Sequence, residues 1–289
     1  MNRIFGVFII TGVFVVSLAT MGYADVRVTT YPYMLNFDDN SWTSNLCYVV
    51  NNATCAHVTT GCYSGGCAKF TPPTVAAPAD NGRYSGVGGF AIPPTGRLNV
   101  RVLVKIGPAY ESTSDMRQNK FIVAWDQDTS YPRPMVIFER MPYESVCSRY
   151  YSFGACEDND CTYQCGGRSC TVPNCYDGFK STSYHNKWIS IEMEYNTHAR
   201  VNNVYIYTQD GALRGLYVSR PLSSSSGAAY DFLQIIGGFY NGTHTADANN
   251  YVMLDNLVIS NTYIGPPAGF VEGSQTSAPT APTGLKILQ

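Results

Sequence analysis

Apolar residues recur at every second position through the strongest runs of this chain, and that period is the tightest constraint on its fold. In Leu98–Ile106 (LNVRVLVKI) Val100, Val102, Val104 and Ile106 fall on one face, with Arg101, Leu103 and Lys105 on the other. In Lys187–Tyr195 (KWISIEMEY) Ile189, Ile191, Met193 and Tyr195 share a face, and Trp188, Ser190, Glu192 and Glu194 take the opposite one. A strand turns successive side chains to opposite faces, whereas a helix needs apolar spacings of three and four. Tyr251–Ser260 alternates as well, Val252, Leu254, Asn256 and Val258 against Tyr251, Met253, Asp255, Leu257 and Ile259. A polar loop with Asn241, Gly242 and Asn249 separates it from Phe232–Tyr240, so the two runs are expected to form a hairpin.

The remaining strands are shorter. Val26–Thr30, Tyr33–Asp38, Phe121–Asp126 and Met135–Arg140 continue the series. VYIYTQDG followed by LRGLYVSR predicts a hairpin with Asp210-Gly211 at its tip. Gly86, Gly88 and Gly89 inside a strand pattern mark a bulge or a close backbone approach. With no convincing amphipathic helix and turns at regular spacing, the fold class is all-β, an antiparallel two-sheet β-sandwich.

Compartment is written at the N-terminus and in the cysteines. One cation, the apolar run IFGVFIITGVFVVSLA, and Gly22 and Ala24 at the −3 and −1 positions make residues 1–24 a secretory signal peptide. The mature chain is then secreted, extracellular or at the cell surface, with the periplasm as a further compartment, and keeps no membrane span. Ten cysteines form two clusters with even counts, as disulfides of an oxidising compartment require. Cys47, Cys55, Cys62 and Cys67 lie in loop 47–67; Cys147, Cys156, Cys161, Cys165, Cys170 and Cys175 lie in loop 147–175. Zinc at Cys161, Cys165, Cys170 and Cys175 is the rival reading, against which stands the absence of any C-x-x-C pair. Connectivity is open, since four cysteines allow three pairings and six allow fifteen.

Net charge is −2 with no cluster of Lys or Arg, which gives no footprint for nucleic acid or anionic lipid. Charged residues reach only 14%, while Tyr is used 22 times. Uncharged polar and aromatic surfaces suit neutral, hydroxyl-rich ligands. The β-sandwich domain is assigned to 25–264. The remainder, 265–289, is rich in Pro, Ala, Ser and Thr and reads as a linker-like tail. Its last residues, PTGLKILQ, resemble the opening strand of a fibronectin type III module.

NFDD near the start, KWISIEMEYNT, the strand pair around TQDG, IIGGFYNG and LDNLVISNTYIG together resemble the concanavalin A-like lectin/glucanase superfamily of jelly rolls. The resemblance runs from about Tyr33 to Pro266 and is interrupted by the two cysteine loops. It implies a jelly-roll sandwich but leaves function open, because that superfamily holds lectins, carbohydrate-binding modules, hydrolases and lyases.

Three functional readings follow. The first is polysaccharide or glycan binding, with Trp188, Glu192, Glu194, Gln234 and Tyr240 lining a groove and Trp125, Tyr205 or Tyr207 as further ring platforms. The second is a lyase acting by β-elimination on a uronate polymer. In the related strand Y-F-K-A-G-x-Y-N-Q the second Tyr moves a proton, and IIGGFYNG aligns Tyr240 with it; Arg101 would meet the uronate carboxylate. Ile236 and Gly242 depart from that pattern, and its Q-[IV]-H and R-x-E-x-R strands have no counterpart. Hydrolysis ranks below lysis. Glu192 and Glu194 lie about 7 Å apart by strand rise, but the glucanase motif E-x-D-x-x-E is absent. The third reading is a structural or adhesive surface protein that self-associates or attaches through its loops or tail. A structural Ca²⁺ is the expected cofactor, with Asp38 and Asp255 as ligands tying first and last strands together.

Overall fold

The computed structural model describes residues 26–49, 54–71, 85–93, 95–110, 119–125, 134–140, 151–157, 160–163, 181–222, 232–236 and 248–271. The expected signal segment, Tyr240, Cys147, Cys165, Cys170, Cys175 and the tail beyond 271 lie outside them. The described residues hold sixteen strands and two four-residue helical turns. The first eight strands are β1 (Val26–Arg27), β2 (Tyr33–Leu35), β3 (Cys47–Val49), β4 (Thr54–Val58), β5 (Cys67–Thr71), β6 (Ser85–Ala91), β7 (Arg97–Ile106) and β8 (Asn119–Trp125). The others are β9 (Pro134–Arg140), β10 (Tyr151–Glu157), β11 (Asp160–Tyr163), β12 (Trp188–Asn196), β13 (Val201–Thr208), β14 (Arg214–Pro221), β15 (Phe232–Ile236) and β16 (Val252–Ser260).

They form two eight-stranded sheets. Sheet 1 runs β1-β6-β15-β8-β9-β10-β11, with β3 also on β6; sheet 2 runs β14-β13-β12-β7-β16-β5-β4, with β2 also on β16. Pairing is antiparallel except between β1 and β6. The apolar alternates meet between the sheets as the sequence pattern requires. Val100, Val102 and Val104 of β7 and Ile189, Ile191 and Met193 of β12 pack in one core with Val87, Phe90, Ile122, Val136, Leu233 and Ile235 of sheet 1. The two-sheet β-sandwich is therefore the observed fold.

Two local expectations are corrected. The runs ending in β15 and β16 do not form a hairpin, because β15 lies in sheet 1 between β6 and β8 while β16 lies in sheet 2 between β7 and β5. Both runs are apolar enough to be buried, and periodicity cannot tell a partner strand from a facing one. The alternation of β16 also breaks. Its register with β7 shifts between Asp255 and Val258, and Asn256 adopts φ 48°. Val252 and Leu254 face the core before this bulge, and Leu257 and Ile259 after it. One extra residue in a strand moves every later side chain to the other face.

The β13–β14 hairpin forms as expected, with Gly211 at φ 70° in its tip. The first cysteine loop contributes β3, β4 and β5, so it belongs to the sheets. Its pairing is Cys47–Cys55 and Cys62–Cys67. In the second cluster Cys156 and Cys161 occupy facing register positions on β10 and β11.

Ile191, with no exposed surface at the centre of sheet 2, tests this packing. Ile191→Ala is expected to cost about 2–5 kcal/mol, read as a lower urea midpoint with unchanged slope. An unchanged midpoint would place Ile191 outside the core.

Candidate functional site

The side of sheet 2 turned away from the core is where the polar alternates collect. Strand register sets them in rows across β7, β12 and β13: Asn99, Glu194 and Asn203; Arg101, Glu192 and Tyr205; Leu103, Ser190 and Tyr207; then Lys105 and Trp188. This face is not bare. Residues 261–271, which follow β16, pass back over it, and Phe270 packs there with Trp188, Tyr207, Leu103 and Met253. Tyr263 meets Tyr207 through their hydroxyls, and Tyr63 donates to the carbonyl of Ala268.

Glu192 holds this strap. It has no exposed surface, and its Oε1 accepts from Ile264 N at 2.9 Å and Asn99 Nδ2 at 2.8 Å while Oε2 accepts from Gly265 N at 2.9 Å. Arg101 completes the grip, Nη1 donating to Gly265 O and Nη2 to Asn256 Oδ1, each at 3.0 Å. Gly265 presents its N–H to one side chain and its C=O to the other at φ 76°, a conformation that side-chain-bearing residues seldom take. Burial pushes the Glu192 carboxyl above the ordinary glutamate value, and the strap amides, Asn99 and the Arg101 charge oppose that rise. Burial likewise pulls the Arg101 guanidinium down.

Glu194, one turn of the pleat away, is also buried but is met by side chains and not by the strap. Its Oε2 accepts from Tyr205 Oη at 2.7 Å and Asn203 Nδ2 at 3.0 Å; its Oε1 pairs with Arg97 Nη2 at 2.8 Å and accepts from Asn196 at 3.4 Å. Burial alone would raise this carboxyl, but those donors and the arginine together hold it below the usual value. Burial and the neighbouring carboxylate push the Tyr205 hydroxyl well up, so it stays a proton donor. Asn203 and Tyr205 are half-buried, and the Tyr263 ring stands 5.3 Å from that of Tyr205. Around this corner Asn203 Oδ1, Asn99 Oδ1 and Arg97 Nε are buried without a hydrogen-bond partner among the described residues. A mixed set of orphaned donors and acceptors beside half-buried tyrosine rings is chemically suited to a ligand rich in hydroxyls.

Asp38 and Asp255 both accept from backbone amides of the loop closed by Cys62–Cys67. Asp255 Oδ2 accepts from Tyr63 N and Ser64 N, each at 3.1 Å, Oδ1 accepts from Asn256 N at 2.7 Å, and Asp38 Oδ1 accepts from Gly66 N at 3.3 Å. Burial pushes Asp255 up to about 6, its three amide partners lower it, and the Asp38 charge raises it further. Two carboxylates at one loop suit a hard cation in charge and in ligand atom. Among the described residues no third His, Cys, Asp or Glu joins them, so the other ligands of a Ca²⁺ would be backbone carbonyls or water.

The other expected site residues divide between the sheets. Trp188, Glu192, Glu194 and Arg101 share the strap-covered face of sheet 2, whereas Gln234 is on β15 of sheet 1. Tyr240 lies outside the described residues, four positions beyond the end of that strand, so Arg101 belongs to the sheet opposite the one whose strand leads to Tyr240. Trp188 is a packing residue against Tyr63, ring to ring at 6.3 Å. Sequence reasoning missed Asn99 and Asn203, whose polar alternation in β7 and β13 was visible but whose rows depend on register.

No protein-family model matches the chain, and no curated protein does. Among solved structures it is similar to the basic winged bean lectin with Tn-antigen, at TM-score 0.45 and 8% identity over 79% of this chain and 97% of that one. It is also similar to the Bauhinia forficata lectin in complex with GalNAc, at TM-score 0.43 and 11% identity over 80% and 98%. A third likeness is to the botulinum neurotoxin type G receptor binding domain, at TM-score 0.36 and 12% identity over 80% of this chain. The chain spans about half (48%) of that domain's length.

Two outcomes follow from the buried carboxylates. Glu192→Ala leaves two strap amides and Asn99 Nδ2 unmet, removes the charge facing Arg101 and is expected to cost about 3 kcal/mol, with new protease cleavage within 261–271; an uncut strap would contradict the grip. Glu194 titrates below the unfolded value near 4.5, so its stabilisation is complete above that pH and is lost as pH falls through the lowered folded value. Wild type should therefore lose stability below about pH 4.5 more steeply than Glu194→Gln, and parallel pH curves would contradict this.

Proposed function

We propose that this chain is a secreted carbohydrate-binding β-sandwich protein of concanavalin A-like type, and that the Glu194 corner of sheet 2 is its binding site. The observation that carries the reading is the orphaned polar set at that corner. A carboxylate fixed by Tyr205, Asn203 and Arg97 stands among unmet amide and guanidinium atoms, beside the half-buried rings of Tyr205 and Tyr263. Sugars supply both what is missing, hydroxyl donors and acceptors, and an apolar ring face to lie on a tyrosine. Cys47–Cys55 and Cys62–Cys67 are bonds of an oxidising compartment, which supports an extracellular setting. Among the described residues no helix is long and apolar enough to cross a membrane.

Asp38 and Asp255 would hold a Ca²⁺ whose role is structural, offsetting the repulsion between them and fastening the N-terminal strands and the Cys62–Cys67 loop to β16.

Titration of the oxidised protein with a panel of polysaccharides tests the binding site, with ultraviolet absorbance followed for unsaturated uronates. Binding without new absorbance is expected. Tyr205→Ala should weaken it about tenfold, the loss of one ring contact and one charge-assisted hydrogen bond. Unaltered affinity would move the site elsewhere, and absorbance would make the chain a lyase. The Ca²⁺ reading has its own measurement: Tm should rise with millimolar Ca²⁺ over chelator in wild type and not in Asp255→Asn. A Tm indifferent to Ca²⁺ in both proteins would contradict it.

A further inference from the structure

At the end of the strap away from Glu194, where Phe270 packs on Trp188 and Met253, the same face of sheet 2 carries two lysines in one row. Register sets Lys69 of β5 opposite Met253 of β16, Met253 opposite Lys105 of β7, and Lys105 opposite Trp188 of β12. Two strand spacings separate the lysine backbones, about 10 Å, with the buried Met253 between them. Each ammonium is seated over an aromatic ring. Lys69 Nζ is 4.7 Å from the centre of Tyr251, and Lys105 Nζ is 5.7 Å from that of Trp188 while donating to Gly61 O at 2.9 Å. Both side chains are half-buried, and among the described residues neither has a carboxylate partner.

In a chain so poor in charge, two like charges held on one row with no carboxylate partner among the described residues call for an anion. Burial and then repulsion from Lys69 both pull the Lys105 ammonium down, the signature of cations kept together at a cost. The carboxylates nearest along the face are occupied elsewhere, Asp255 by the amides of Tyr63, Ser64 and Asn256, and Glu192 by the strap. Tyr251 and Trp188 limit the freedom of the two stems, so less ordering remains to be done on binding. Two cations and no basic stripe suit isolated negative groups on an otherwise neutral polymer, and not a continuous phosphate backbone.

We propose that Lys69 and Lys105 form an anion site taking a carboxylate or sulfate group of an acidic polysaccharide. This deepens the glycan-binding reading and rests on it: the polymer would be acidic, with its neutral hydroxyls met about 20 Å away along β7 at the Glu194 corner.

The test is the affinity of the oxidised full chain for a polyuronate, a sulfated polysaccharide and a neutral glucan, at low and high salt. An acidic polymer should bind more tightly than the neutral one, with an advantage that shrinks as salt screens it. Which acidic polymer wins separates carboxylate from sulfate. Lys69→Gln and Lys105→Gln should each weaken acidic-polymer binding about tenfold while leaving the glucan unaffected, and Lys105→Arg should retain it. Thermal midpoints of the variants check that they fold, and Lys69→Gln removes a side chain with no hydrogen bond among the described residues. Equal binding of acidic and neutral polymers, or Gln variants as tight as wild type, would overturn the anion site alone. Binding of inorganic sulfate without any polysaccharide, or no binding at all, would overturn the glycan reading together with it.

Discussion

A carboxylate sealed from water must be met by hydrogen donors, and Glu192 is met by the backbone of a segment 72 residues further along the chain. Most of this structure's outer architecture depends on that one contact. Glu192 lies on β12, flanked by β7 and β13, where the sheet face would otherwise expose it. Ile264, Gly265 and Asn99 convert it from a liability into a clasp, and Arg101 grips the same peptide from the neighbouring strand. Breaking the contact would leave two charged side chains on the sheet and backbone groups on the strap without these partners. The strap is therefore part of the fold, and Phe270 and Tyr263 seal the rest of the face behind it.

The clasp also decides where a ligand can approach. The middle rows of sheet 2 are roofed by the chain itself, so open chemistry is confined to the two sides. On one side a carboxylate is held by Tyr205, Asn203 and Arg97 with tyrosine rings at its rim. On the other, two ammonium groups rest on aromatic rings. The same alternation that built the core put both sets on one surface, since core and outer positions differ by one residue along each strand.

How much of this the sequence disclosed follows from the range of each signal. Alternation is local, so LNVRVLVKI and KWISIEMEY were legible as strands, and the separation of Arg101, Glu192 and Glu194 from the core residues was legible with them. The sandwich followed from there being many such runs. Strand partnership is not local: the runs ending in β15 and β16 looked like a hairpin but lie in opposite sheets, and Gln234 was parted from the residues it had been grouped with. The bulge at Asn256 was hidden too, because a strand one residue out of phase still looks apolar in both halves. Asp38 and Asp255 were grouped from a resemblance and not from spacing, and both accept from amides of the Cys62–Cys67 loop. The clasp was beyond reach, since its partners at 264 and 265 are backbone amides, which no residue type announces.

Amide hydrogen exchange at Ile264 and Gly265 tests the central claim most directly. Donated to a buried carboxylate, both amides should exchange as slowly as those of β7 and β12, opening only when the sandwich unfolds. Exchange at the rate of an unstructured peptide would mean that Glu192 does not hold the strap, and that the face of sheet 2 lies open along its whole length.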